Sequence, residues 1–189
     1  MKNRNAHFIN TVIYLVFIGM FSACGTKEQS IETKSFFSLK DYFEQQIQML
    51  EQATYPLKKS IAINDRTEQQ QLDKVDYKTE LAPFIDNDIN RPSWMDKYVV
   101  DSLLDAGRLK TITYQALEPT LSTQKIIIQY NENQTIEHIS IESENSTVLS
   151  DSERKLDYYP LKHYIISNKE TTKTGDIVEV EIKGKFILE

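Results

Sequence analysis

The chain has one cysteine, five glycines, five prolines, one tryptophan and three histidines in 189 residues. Each shortage excludes something. With Cys24 as the single thiol, no disulfide can form within the chain, and stability has to come from packing. Beyond Gly25 the only glycines are Gly107, Gly175 and Gly184, too few for a phosphate-cradling loop, a dinucleotide fingerprint or a Gly-x-Ser-x-Gly elbow. Only His138 and His163 follow the first 23 residues, which with one cysteine is too little for a zinc site of the usual Cys/His kind. There is no long basic run, and Asp+Glu (28) outnumber Lys+Arg (22), which argues against nucleic acid and against anionic head groups as the main partner. Carboxylate pairs such as Glu142 with Glu144 are abundant, but 28 acids give many pairs by chance. The residues therefore assign no catalytic, cofactor-binding or metal site, and the expectation is a protein that is not an enzyme.

Long hydrophobic runs are also missing. The longest, Phe8 to Phe21, is about 14 residues, whereas a membrane-spanning helix needs roughly 20. It is preceded by Lys2 and Arg4 with no acid before Cys24, and it ends in Ser22-Ala23-Cys24. A basic start, a short apolar core and small residues at a cleavage point make a secretory signal. The ending resembles a bacterial lipobox, with Phe21 where Leu is usual. That resemblance implies cleavage before Cys24 and a diacylglycerol on its thiol. Two or more acyl chains give stable anchoring, so the membrane is an expected partner through the lipid on Cys24. Removing residues 1–23 takes away Lys2 and Arg4 and no acid, leaving 20 Lys+Arg against 28 Asp+Glu and moving the formal charge from −6 to −8.

The expected organisation is a removed signal over residues 1–23, the lipidated cysteine with a polar tether over 24–34, and one domain over 35–189. Ten flexible tether residues would span roughly 17 to 19 Å. A remainder of this length suits one domain with a real core.

Leu39, Phe43, Ile47, Leu50 and Thr54 fall at helical spacing, with Ser38 and Asp41 as a capping pair and Pro56 as a stop. Leu57, Lys59, Ile61 and Ile63 then alternate with their neighbours, Asn64-Asp65 offers a turn, and Glu68 to Lys74 returns, which predicts a hairpin. Asp76 to Asn87 reads as a second helix that Pro83 must bend or shorten. From Trp94 onward the pattern is β: about seven strands joined by short turns, ending with Val178, Val180, Ile182, Gly184 and Phe186 facing inward against charged neighbours. The fold class expected is α+β, a largely antiparallel meander sheet of about seven to nine strands with both helices on one face.

Three local patterns were weighed. Asp86-Asn87-Asp88-Ile89-Asn90 suggests a calcium loop, but Arg91 stands where a glycine is needed and Lys97 where a bidentate Glu is needed, so a polar helix end is expected. His138 shares a strand face with Ile136, Ser140 and Glu142 and is expected to be solvated, as is His163 beside the Pro160 turn. Asp101-Ser102-Leu103 fits a short O-glycosylation pattern, and Asn133-Gln134-Thr135 and Asn145-Ser146-Thr147 are sequons.

The lipobox cysteine, Phe36-Phe37-Ser38-Leu39-Lys40-Asp41-Tyr42-Phe43, Asp88-Ile89-Asn90-Arg91-Pro92-Ser93-Trp94 and Tyr158-Tyr159-Pro160 together resemble a family of uncharacterised Bacteroidetes outer-membrane or periplasmic lipoproteins. The resemblance implies a lineage and a place in the cell envelope, at the outer membrane, with the periplasmic or surface face left open. It implies no activity. Two functions remain: a membrane-anchored binding or assembly module with an envelope protein partner, or a carrier holding a lipid or apolar ligand in a half-barrel cavity.

Overall fold

The computed structural model describes residues 35–187; the expected signal, Cys24 and the whole tether lie outside them. Helix α1 spans Leu39–Ala53, β1 Leu57–Ile63, β2 Arg66–Leu72 and α2 Tyr77–Ile85. A single 3-10 turn at Pro92–Trp94 leads into β3 (Tyr98–Asp105), β4 (Arg108–Ala116), β5 (Thr123–Tyr130), β6 (Ile136–Ser146), β7 (Ser150–Tyr159), β8 (His163–Thr172) and β9 (Ile177–Phe186).

Local chemistry sets both helices. Ser38 caps α1 by accepting the Asp41 amide at 3.0 Å, and Thr54, in the left-handed region at φ 53°, ends it by returning its N–H to the Leu50 carbonyl. Asp76 caps α2 by accepting the Thr79 amide at 3.1 Å. Pro83 removes one backbone donor inside α2, which ends two residues later.

All nine strands form one antiparallel sheet in the order β2-β1-β9-β8-β7-β6-β5-β4-β3. β3 to β9 are a meander, as expected. The β1–β2 hairpin, however, adds to β9, with Leu57 opposite Phe186 and Ile63 opposite Val180, and this pairing of remote segments has no sequence signal. The sheet is open, with β2 and β3 as its edges.

Alternation divides the side chains into two faces. On the inner face one row runs Tyr114, Ile126, Ile141, Leu156, Ile166, Ile182 and Ile61, each opposite the next. Both helices cover this face. Phe43 lies 4.9 Å from both Phe84 and Tyr158, Phe84 is 6.2 Å from Tyr164, and Tyr77 is 6.2 Å from Phe186, centroid to centroid. Gly184 is required here: a Cβ at this position would stand 2.2 Å from the Tyr164 ring.

Two inner-face polar contacts tie sheet to helix. Tyr158 donates to Gln46 Oε1 at 3.0 Å. Glu80 receives Lys59 Nζ at 2.8 Å and the Tyr164 hydroxyl, so the lysine on an apolar face is neutralised where it stands. Burial drives the Tyr158 and Tyr164 hydroxyls well above the ordinary tyrosine range, and both remain donors.

The Asp86–Asn90 segment is a latch. Asp88 accepts the Lys40 and Asn90 amides at 2.8 and 2.7 Å, Asn90 accepts the Phe36 amide at 2.9 Å and donates to the Phe37 carbonyl, and Thr123 donates to Asn87 Oδ1 at 3.0 Å. The side-chain oxygens of Asn87, Asp88 and Asn90 thus accept from backbone and hydroxyl donors.

Two expectations need correction, and one stretch without sequence periodicity takes a definite place. β2 covers Arg66–Leu72, where the sequence suggested 68–74, because pairing to β1 starts directly after the Asn64-Asp65 turn. The Ser150 to Lys155 stretch, which has no usable periodicity, is strand in register with β8. Val178 is on the inward row yet exposed, because the first half of β9 lies outside the buried row.

Candidate functional site

The outer face carries the chemistry. Register brings His138, Tyr159, His163, Lys185 and Lys58 into one row across β6, β7, β8, β9 and β1. The rings stack: His138 on Tyr159 at 4.4 Å and 13°, Tyr159 on His163 at 4.3 Å and 20°. His138 is further held by Asp157 Oδ1 at 2.8 Å and Gln129 Oε1 at 3.1 Å. Its side chain is only 15% exposed, so the solvated position expected from alternation is corrected: the face was right, but its neighbours enclose it.

His163 closes the stack and lines two adjoining grooves of about 320 and 500 Å³, shared with Lys58 and Lys185; Lys183 joins the first and Lys162 the second. Burial, then Lys162, Lys185 and His138, hold the His163 imidazole below its ordinary range. His163 lies at the surface, with its ring half-buried against Tyr159.

Further along the same face the charge changes sign. Glu142, Glu144, Glu153, Glu179 and Glu181, with Lys155 and Lys169, line a shallow trough of about 640 Å³. Here charges alternate in register: Lys155 is opposite Glu142, and Lys169 is opposite both Glu153 and Glu179. Only Glu144 and Glu153 meet as like charges.

The two sheet edges differ in kind. β2 presents Arg66, Glu68, Gln69, Gln70 and Gln71, all exposed and polar. β3 presents Val99, Val100, Leu103 and Leu104 at 50%, 44%, 63% and 58% exposure, with a register shift between the two leucines. Among the described residues its outer side pairs with no strand.

Cys24, the lipidation site read from the sequence, lies outside the described residues. Ser102 sits exposed mid-way along β3 and Asn133 in an exposed turn, while Asn145 is exposed near the end of β6. His138 and His163 are brought together by Tyr159, which the sequence marked only as part of Tyr158-Tyr159-Pro160. Among the described residues no group of three or more His, Cys, Asp or Glu could hold a metal ion, and none of the helices described is long and apolar enough to cross a membrane.

Comparison of the chain with protein-family models, with curated proteins and with solved structures finds no match.

Proposed function

We propose that the chain is a lipid-anchored, non-catalytic module of the bacterial cell envelope, at the outer membrane, that binds an extended segment of an envelope protein along β3. The observation that carries this reading is the apolar free edge: a strand offering unpaired backbone groups with Val99, Val100, Leu103 and Leu104 exposed. Edge strands of soluble proteins are ordinarily blunted by charge, proline or a bulge, as β2 is by Arg66 and Glu68. β3 has Asp101, Asp105 and the register shift at Leu103/Leu104, but no lysine or proline, and its apolar side chains stay exposed. Strand addition would take its affinity from the backbone and its selectivity from side chains on alternate faces.

The anchor follows from the signal, the lipobox-like ending and Cys24. The carrier reading needs room between helices and sheet, and the Phe43, Phe84 and Tyr158 rings at 4.9 to 5.7 Å fill that space, which speaks for the binding module.

The test has two arms. Metabolic labelling with a palmitate analogue should mark the chain, and Cys24→Ala should lose both the label and the membrane fraction. A photoreactive residue at Leu103 should give one discrete envelope-protein adduct in intact cells that Val99→Lys removes, while a probe at Gln70 on β2 gives none. Equal yields from both edges would overturn the β3 assignment.

A further inference from the structure

The clustering of lysines around His163 is not what a solvated sheet face selects. Lys58 and Lys185 are directly opposite one another, and Lys185 is directly opposite His163. Like charges in that relation are destabilising. In the trough on the same face, lysines stand opposite glutamates. Among the described residues, the only lysine of the cluster within ion-pair distance of an acid is Lys183, with Glu181 at 2.6 Å; Lys58, Lys162 and Lys185 form no such pair. Among the described residues, three lysines without an acid partner, from β1, the β7–β8 turn and β9, thus line two adjoining grooves beside one imidazole.

We infer that the grooves around His163 are an anion site that binds the phosphate group of a phosphate-bearing ligand, held by Lys58, Lys162 and Lys185 with His163 as a further donor. The donor chemistry narrows the class. A planar carboxylate is best met by the two-pronged guanidinium of arginine, and no arginine lines either groove. Lysines act as movable point charges and suit a tetrahedral, multiply charged group. The groups facing His163 are the Tyr159 ring on β7, His138 beyond it on β6, Lys185 on β9, Lys58 beyond that on β1, and neighbouring Lys162. The two lysines that hold its imidazole down, Lys162 and Lys185, are the charges a bound phosphate would neutralise. The phosphate could be soluble or the head group of a lipid in the membrane that carries the protein.

The test uses the mature, lipidated chain in phosphatidylcholine nanodiscs, followed by NMR of the histidine ring protons. Adding inorganic phosphate should raise the His163 titration midpoint by about one pH unit, as a nearby opposite charge does, while chloride at equal ionic strength does not. Lys58→Gln with Lys185→Gln should weaken phosphate binding at least about tenfold. Lys155→Gln with Lys169→Gln, in the acidic trough, should leave it unchanged. Nanodiscs containing phosphatidic acid distinguish the sources: the same shift without added phosphate identifies a lipid head group, and a shift only with added phosphate identifies a soluble one. No shift in either medium would overturn the inference, and so would an equal response from the Lys58→Gln, Lys185→Gln chain, which would mean general screening.

Discussion

The two faces of one sheet solve opposite problems. The inner face has an apolar layer packed under the helices, where Lys59 of the sheet and Glu80 of α2 pair. The outer face leaves charge unbalanced over distance, with lysines gathered around His163 and glutamates along the trough. The difference separates stability from recognition: the helix-covered side holds the chain together, and the bare side with the β3 edge is free to bind. A formal charge of −6 conceals this. The net charge argues against anionic partners for the chain as a whole, and the anion site inferred above is confined to one row of the outer face.

If the inner face alone carries stability, truncating its ring stack should have the largest effect. Phe84 touches Phe43, Tyr158 and Tyr164, and Phe84→Ala should cost about 3–5 kcal/mol, read as a lower midpoint in urea unfolding. Glu80→Ala comes next: it leaves the half-buried Lys59 without its counter-ion and Tyr164 without its acceptor, for a loss of about 2 kcal/mol. Gly184→Ala follows at about 1–3 kcal/mol, since the Tyr164 ring has to move off the new methyl group. Retention of full stability by any of these would break the contrast between the faces.

The outer face should behave in the opposite sense. Lys185→Gln relieves the like-charge contact with Lys58, and that with His163 once the imidazole is protonated, and should leave thermal stability unchanged or raise it by a few tenths of a kcal/mol. The same repulsion has a pH signature. His163 has its folded-state pKa lowered by burial and by Lys162, Lys185 and His138, so as pH falls below about 6.5 the unfolded chain takes up the proton first and stability declines. That decline stops once the folded state is protonated too, and it should be shallower in Lys185→Gln. Thermal melts across this range measure both slopes.

What the sequence made legible was whatever depends on local order. Leu39, Phe43, Ile47 and Leu50 announced α1, the capping residues marked where it begins, and the alternation ending in Gly184 and Phe186 placed the inward side of the second half of β9. The nine-strand antiparallel sheet with its two covering helices followed from short connections between such segments. Where neighbours come from far along the chain, the pattern was silent. Nothing in Leu57–Ile63 points to Phe186, so the row joining Lys58, Lys185 and His163 could not be seen before β1 was placed against β9. Alternation gave His138 its face but not its enclosure, which depends on Asp157, Gln129 and Tyr159 arriving from other strands. Polar strands such as Ser150–Lys155 were illegible for a further reason: with both faces wet, side-chain polarity has no period to report.

The central claim is that β3 is an occupied edge in the cell. Backbone amide hydrogen exchange of the anchored chain in intact envelopes, compared with the purified chain, tests it most directly. A bound strand should protect the outward-facing amides of Tyr98–Asp105 in envelopes, leave them fast-exchanging after purification, and leave Arg66–Leu72 on the opposite edge the same in both. Equal exchange of β3 in the two preparations would contradict the account.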